Sequence, residues 1–122
     1  MIKPMWMPLT MNGSRTDAAV ILQVIGRVDG DTAADLERTC LQWITPSDRN
    51  LILDFSELQY ISSAGLSSIL GAGKEIDGHG GQLLICGLTD RLKQVFIFSG
   101  FDTLFPLFET TEAALTSCTS KP

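Results

Sequence analysis

The stretch of sequence that decides the fold is residues 51–70, LILDFSELQYISSAGLSSIL. Its apolar beginning is typical of an interior strand of a parallel sheet, so a strand is predicted at residues 50–55. A short polar link then leads to two adjacent serines, Ser62 and Ser63, at the start of a predicted helix. A hydroxyl at a helix start lies among unpaired backbone N–H groups and at the positive end of the helix dipole, which suits a phosphate. The two serines are therefore either a helix cap or a switch.

Toward the N-terminus, the pattern predicts a β-hairpin. Residues 5–11 are a short apolar segment that could be an edge strand, and residues 18–25 are a β-branched run that reads as a strand. Residues 12–17 (NGSRTD) lie between them and contain Asn-Gly, a strong turn signal. Residues 26–31 (GRVDGD) are predicted to be a loop.

The first helix is predicted to begin near Thr32, which forms a capping-box pattern with Asp35. Pro46 ends this helix. Its buried face is given by residues that recur at helical spacing, namely Leu36, Cys40, Trp43 and Ile44.

The segments after Ser63 continue the alternation of helix and strand. The helix that Ser63 starts is expected to bury Leu66, Ile69, Leu70, Gly73 and Ile76, with Gly71 and Gly73 allowing close packing on the sheet. A turn at residues 77–81 and a strand at residues 82–86 follow. A third helix is capped by Thr89 or Asp90, turns Leu92, Val95 and Phe96 inward, and ends at Gly100. A short apolar segment at residues 104–108 precedes a last helix, which begins at Thr110 or Thr111 and runs through Leu115.

This order, β-β-α-β-α-β-α-(β)-α, predicts parallel pairing with right-handed crossovers. The predicted fold class is α/β. It is a single small domain with a mixed, mostly parallel sheet of four to five strands and about four packed helices.

Composition narrows the range of functions. The chain has 122 residues, a net charge of −5 and a pI of about 4.6, which argues against nucleic-acid binding and would suit a partner with a basic face. No apolar run approaches the ~20 residues of a membrane-spanning helix, so membrane insertion is not expected. The N-terminus lacks a signal-peptide pattern, which favours the cytoplasm. Cys40, Cys86 and Cys118 are far apart and read as buried small hydrophobic residues in a reducing compartment.

The residues needed for catalysis are not suggested by the sequence. His79 is the only histidine, and it lies in a glycine-rich turn that is expected to be exposed to solvent. It is one helix length away from Ser62 and Ser63, about 20 Å at 1.5 Å per residue, so it could not act as their base. No Cys/His cluster has the spacing of a metal site. Accordingly, we predict no catalytic residue, no metal and no cofactor.

The landmarks of this chain, taken in order, resemble those of the STAS domain family, and specifically the bacterial anti-sigma factor antagonists. The matching segments are Gly26-Arg27-Val28-Asp29, Asp54-Phe55-Ser56-x-Leu58, Ser62-Ser63-Ala64-Gly65-Leu66, Gly80-Gly81-Gln82-Leu83, and Leu88 through Phe96 with Ser99-Gly100-Phe101. The resemblance covers residues 5 to 115. It implies a STAS domain over residues 5–117, with flexible termini at residues 1–4 and 118–122.

The resemblance implies a mechanism of partner switching. The unmodified antagonist binds an anti-sigma factor, which is usually also a serine kinase, and is released when that kinase phosphorylates the helix-start serine. A serine phosphatase then resets the switch. Alignment on Gly65-Leu66 makes Ser63 the phosphorylated residue. The surface implied to face the partner consists of Asp29, Gly30, Asp31, Thr32, Ser62, Ser63 and Ser67.

Two features of the motif leave alternatives open. Ser62 stands where the family has aspartate, and Ala64 stands where it has a second hydroxyl residue. Phosphorylation could therefore fall on Ser62 instead of Ser63, or be absent. In that case the domain would be a protein-interaction or ligand-sensing module of a sensory or transport complex, without a phosphorylation cycle.

Overall fold

The computed structural model describes residues 9–119, and the structural statements below refer to that part of the chain. Its elements, in chain order, are β1 (Thr10–Arg15), β2 (Val20–Val28), α1 (Ala33–Trp43), β3 (Asn50–Ile61), α2 (Ser63–Gly78), β4 (Gln82–Cys86), α3 (Asp90–Phe98), α4 (Phe101–Leu104), β5 (Leu107–Phe108) and α5 (Thr111–Thr119).

The five strands form one sheet in the order β1-β2-β3-β4-β5. β1 pairs with β2 in antiparallel orientation, and the other neighbouring strands pair in parallel. The predicted α/β class, with a mostly parallel sheet, is therefore confirmed. The described residues form five strands and five helices, where about four helices were predicted.

Both faces of the sheet are covered by helices, which is why β4 and the first half of β3 are mostly apolar. One face carries the larger part of the core, with Leu36 of α1, Ile69 of α2 and Phe96 of α3 packed on the strands. The other face packs Ile52 and Leu84 against α5. The buried face predicted for α1 is confirmed, because Leu36, Cys40 and Ile44 are buried and Trp43 is half-buried.

The hairpin is confirmed, but the prediction that residues 12–17 form its turn is wrong. Asn12 and Gly13 lie within β1, opposite Gln23 and Leu22 of β2. The turn is instead made by Thr16, whose hydroxyl oxygen accepts hydrogen bonds from the N–H groups of Ala18 and Ala19. A Cβ at Gly13 would overlap the Trp43 ring of α1, so this close approach requires glycine at that position of the strand. Of the predicted edge strand at residues 5–11, residues 5–8 lie outside the described residues.

Both central strands are longer than predicted. β2 continues through residues 26–28, which were expected to be a loop, and β3 continues six residues beyond Phe55 to Ile61. The extensions pair with each other, Gly26 with Leu58 and Val28 with Ile61. β4 pairs with β3 only as far as Asp54, so within residues 9–119 the extension forms a two-stranded ribbon beyond the rest of the sheet. Because the ribbon is less covered than the rest of the sheet, it includes exposed polar residues such as Ser56. These polar residues are the reason that the sequence predicted a link after Phe55.

The helix boundaries differ from the predictions in several places. α2 extends to Gly78, α5 extends to Thr119 instead of ending at Leu115, and the four-residue α4 was not predicted. Val95, expected to face inward, is 37% exposed. The predicted end of α3 is confirmed, because Gly100 follows the helix with φ +82°, a left-handed conformation that favours glycine.

Two glycines inside α2 do allow close packing, but their neighbours are not the sheet that was predicted. A Cβ at Gly71 would overlap the carboxylate of Glu37 on α1. A Cβ at Gly73 would lie 2.7 Å from Cε1 of Phe105, in the segment that leads to β5. The glycines therefore fit α2 between α1 and the chain that follows α4.

Candidate functional site

The parallel register of β2 and β3 brings the two parts of the predicted site together. Val28 and Ile61 are paired at the ends of these strands. Directly after them, the N–H of Ser62 donates a hydrogen bond to the carbonyl oxygen of Val28, with N and O 2.8 Å apart. The loop that begins at Asp29 and the helix that begins at Ser63 therefore start side by side at one end of the sheet.

The two serines at the start of α2 have different roles in the structure. Ser62 is the N-cap, and its hydroxyl oxygen accepts a hydrogen bond from the N–H of Gly65, with O and N 3.2 Å apart. Ser63 is the first residue of the helix and is exposed. Its hydroxyl makes no hydrogen bond within the described part of the chain. The capping role that the sequence left open for Ser63 therefore belongs to Ser62.

Gly65 is required by close packing at the start of α2. A Cβ at this position would lie 2.6 Å from Cγ1 of Ile61 and 2.7 Å from Cγ1 of Val28. These two residues are the paired ends of β3 and β2, so the absence of a side chain lets the first turn of α2 sit directly on the strand ends. The absence of a side chain at Gly65 therefore sets how closely the first turn of α2, which carries Ser63, approaches the ends of β2 and β3.

The loop before α1 is held by hydrogen bonds of Asp29 and Thr32. One carboxylate oxygen of Asp29 accepts from the N–H groups of Asp31 and Thr32, at 3.0 and 3.2 Å. The Thr32 hydroxyl donates to the carbonyl oxygen of Arg27 at 2.9 Å and accepts from the N–H of Asp29 at 3.0 Å. Gly30 and Asp31 are exposed between these anchors.

These bonds contradict the predicted capping box. Thr32 is the N-cap residue of α1, but its side chain makes no capping hydrogen bond, because its hydroxyl is committed to Arg27 and Asp29. Asp35 pairs instead with Arg38, with N and O 2.7 Å apart. The start of the helix was nevertheless predicted correctly.

One residue of the site that the sequence did not single out is Ser68. It is 5% exposed, and its hydroxyl lies 2.7 Å from the carbonyl oxygen of Ala33 and 3.2 Å from that of Ala64. This contact joins the first turn of α1 to α2. Ser67, the preceding residue, which was predicted to face a partner, is exposed. The sequence held little to distinguish the two serines except that Ser68 lies next to the buried Ile69.

The histidine of this chain lies too far from the two serines to act as their base. His79 caps the far end of α2, about 24 Å from Ser62 for a 16-residue helix. It is half-buried, not exposed as predicted, and its Nε2 lies 3.5 Å from a carboxylate oxygen of Glu75. Burial raises the pKa of the Cys40 thiol to about 12, and the charge of Glu37 adds to this effect. Between residues 9 and 119, no group of His, Cys, Asp and Glu side chains is arranged to hold a metal ion.

Comparison with known proteins assigns the family. The model of the STAS domain matches residues 11–114, which is most of the chain. The chain belongs to the STAS domain family. No helix within residues 9–119 combines the length and the apolar character needed to cross a membrane.

Two curated relatives of this STAS domain are named as antagonists. A Bordetella bronchiseptica protein named as an anti-sigma factor antagonist, BtrV, is 35% identical over 108 residues, covering 88% of this chain and 91% of that protein. The Staphylococcus aureus anti-sigma-B factor antagonist is 26% identical over 106 residues, covering 87% of this chain and 98% of that protein.

Solved structures share the fold. An anti-sigma factor antagonist from Mycobacterium paratuberculosis superimposes with a TM-score of 0.83 at 23% identity, covering 97% of this chain and 98% of that one. The Bacillus cell fate determinant SpoIIAA in its phosphorylated form superimposes with a TM-score of 0.61 at 20% identity, covering 90% of this chain and 98% of that one.

Proposed function

We propose that this STAS domain is an anti-sigma factor antagonist that binds a serine-kinase-type anti-sigma factor and is released when that kinase phosphorylates Ser63. The names of the two curated relatives support the antagonist role. The choice of Ser63 over Ser62 as the phosphorylated residue rests on a difference in how the two hydroxyl groups are bonded. Ser62 uses its hydroxyl to cap α2, whereas Ser63 is exposed with an unengaged hydroxyl.

The geometry at the start of α2 can accommodate a phosphate without unfolding. The N–H groups of Ser63 and Ala64 donate no hydrogen bond within the described residues, and they lie at the positive end of the helix dipole. A phosphate would add about −1.5 to −2 charges near pH 7. These N–H groups favour it on the antagonist itself, so the structure of the domain would be retained.

The same phosphate would oppose binding to a partner. The Asp29 loop already brings acidic side chains to this end of the sheet, with Asp31 exposed. A partner surface fitted to the neutral hydroxyl would have to bury a dianion beside these carboxylates. A loss of ~3 kcal/mol at the interface would weaken binding by about 100-fold. Release would thus come from local repulsion and desolvation, and a serine phosphatase would restore binding.

The experiment uses the full chain as bait in cells of the source organism, followed by identification of bound proteins and of phosphorylated peptides by mass spectrometry. The purified anti-sigma factor is then incubated with ATP and Mg²⁺ and, separately, with each of the variants Ser62→Ala, Ser63→Ala and Ser14→Ala. We expect Ser63→Ala to bind the partner but accept no phosphate, whereas Ser14→Ala, a change at an exposed serine of β1 outside the predicted partner surface, should be phosphorylated like the wild type. Native mass spectrometry should show that Ser63→Asp binds more weakly.

Two outcomes would contradict the proposal. The first is recovery of no kinase among the bound proteins together with no phosphate on the peptide that contains Ser62 and Ser63. The second is phosphorylation that persists in Ser63→Ala and is lost in Ser62→Ala, which would move the site to Ser62.

A further inference from the structure

Arg27 and Tyr60 form a stacked pair at the same end of the sheet as Ser63. They are opposite each other in the register of β2 and β3, and the guanidinium carbon of Arg27 lies 4.4 Å from the centroid of the Tyr60 ring. Tyr60 is 40% exposed and Arg27 is half-buried. The ring therefore holds the guanidinium in one orientation while part of both groups faces outward.

The pair lies on a face that no described element covers. Val28 and Ile61 belong to the core under α1 and α2, and side chains alternate along a strand, so Arg27 and Tyr60 point to the opposite face. On that face, the cluster under α5 includes Ile21 and Ile52 but nothing from the ribbon. α5 thus covers the sheet only up to the region where β4 ends.

Arg27 is a cation without a counter-charge within the described residues. None of the ion pairs there involves it, in contrast to Arg15 and Arg38. A guanidinium presents N–H groups in a planar fork that matches a carboxylate. Tyrosine and arginine are also the residue types that most often contribute strongly to protein interfaces.

We propose that Arg27 and Tyr60 are a second anchor for the anti-sigma factor. The guanidinium would receive a carboxylate of the partner, and an apolar partner side chain would pack against the exposed part of the Tyr60 ring. This inference rests on the proposed function. Its partner is the same protein because the pair is continuous with the predicted interface: Arg27 is two residues before Asp29, and Tyr60 is two residues before Ser62.

Because Arg27 and Tyr60 point to the face opposite α1 and α2, a partner that contacts both this pair and Ser63 extends around the ends of β2 and β3. Two residues along a strand span about 7 Å. A typical interface buries about 800 Å² on each partner and is several times wider than that. The carbonyl oxygen of Arg27 also accepts the hydrogen bond from Thr32 that holds the Asp29 loop. The Arg27–Tyr60 pair and the Asp29 loop are therefore connected directly through the backbone of Arg27.

The test uses the anti-sigma factor identified by the experiment above and measures its affinity by isothermal titration calorimetry. We expect Arg27→Gln and Tyr60→Ala each to weaken binding about tenfold. Tyr60→Phe keeps the ring and should bind within about twofold of the wild type. Lys74→Gln is the matched charge control, because Lys74 is exposed in the second half of α2 and makes no ion pair within residues 9–119. It should leave affinity unchanged.

The outcomes separate this inference from the proposed function. Recovery of an anti-sigma factor whose binding depends on Ser63 but not on Arg27 or Tyr60 overturns the inference alone. Lower thermal stability of Arg27→Gln with unchanged affinity would show that the pair only holds the ribbon together. Loss of self-association, measured by analytical ultracentrifugation, with unchanged partner affinity would assign the pair to contacts between copies of this chain. If no anti-sigma factor is found, both proposals fail.

Discussion

The backbone N–H of Ser62 donates a hydrogen bond to the carbonyl oxygen of Val28 across 2.8 Å. This bond continues the β2–β3 ladder by one residue into the start of α2. Two segments that are 34 residues apart in the chain, the Asp29 loop and the Ser63 helix start, are thereby held at one end of the sheet. The stability of that junction can be tested residue by residue.

Replacing Ser62 by alanine should lower the free energy of unfolding by about 1 kcal/mol, because the N–H of Gly65 would lose its capping partner. Ser62→Asp should restore most of the loss, since a carboxylate also caps a helix and interacts favourably with its dipole. Urea unfolding followed by circular dichroism measures both. Equal stability of the wild type and Ser62→Ala would show that the cap contributes nothing.

Gly65→Ala should destabilise the domain by roughly 1–3 kcal/mol, because the added methyl group would meet Ile61 and Val28 at less than 3 Å. Gly78→Ala is the matched control in the same helix. No atom lies within 4 Å of a Cβ at Gly78, so this variant should gain about 0.5–1 kcal/mol. Chemical denaturation of both variants provides the comparison. A stable Gly65→Ala would contradict the close approach of α2 to the strand ends.

Ser68→Ala should cost about 1–3 kcal/mol, because the buried carbonyl oxygen of Ala33 would lose the hydroxyl that now donates to it. Ser67→Ala, the exposed neighbour, should change stability by less than about 0.5 kcal/mol. Thermal unfolding distinguishes the two. If both variants behave alike, the Ser68 contact does not stabilise the packing of α1 on α2.

Asp48, at the opposite end of the sheet, should make the free energy of unfolding depend on pH. Partial burial alone would raise its pKa, but hydrogen bonds from Arg15 and Thr45 and the charge of Arg15 outweigh burial and lower it. A carboxyl whose folded-state pKa lies below its unfolded value of about 3.9 adds stability above that value, and the gain is lost as pH falls through the folded pKa.

Asp48→Asn should therefore be less stable than the wild type by about 1 kcal/mol at pH 7, with the difference disappearing as the pH falls below about 4. Urea unfolding at a series of pH values measures this. Asp17→Asn, a change at an exposed carboxylate in the adjacent turn, is the control and should change stability by less than about 0.5 kcal/mol at pH 7. A constant difference for Asp48→Asn across the whole series would refute the role of its charge.

Much of the fold could be predicted because the relevant signals are local. The strand at residues 82–86 agrees with β4 at both ends, since it is a short apolar run between glycines. Of the two predicted caps of α3, Thr89 and Asp90, the cap is Thr89, because its hydroxyl oxygen accepts from the N–H of Leu92 three residues later. The motif around Ser63 was placed correctly at a helix start for the same reason.

Predictions failed where the outcome depended on a distant residue. Asn12-Gly13 favours a turn locally, but its pairing with β2 makes this segment a strand. The capping box failed for a more local reason, because the hydroxyl of Thr32 donates to the carbonyl oxygen of Arg27, five residues earlier, instead of capping the helix. The roles of Ser67 and Ser68 could not be told apart, because burial of Ser68 depends on where α1 packs.

The sequence by itself determined the order of strands and helices, the α/β class and the presence of two serines at a helix start, because hydrophobic periodicity and capping act over a few residues. Only the tertiary structure decided which serine caps the helix and which is exposed, and that Asp29 lies beside them. Those outcomes depend on the register of β2 against β3, on the packing of Gly65 against Val28 and Ile61, and on the ribbon that carries Arg27 and Tyr60. Each is set by contacts between residues more than 30 positions apart, apart from the one between Gly65 and Ile61.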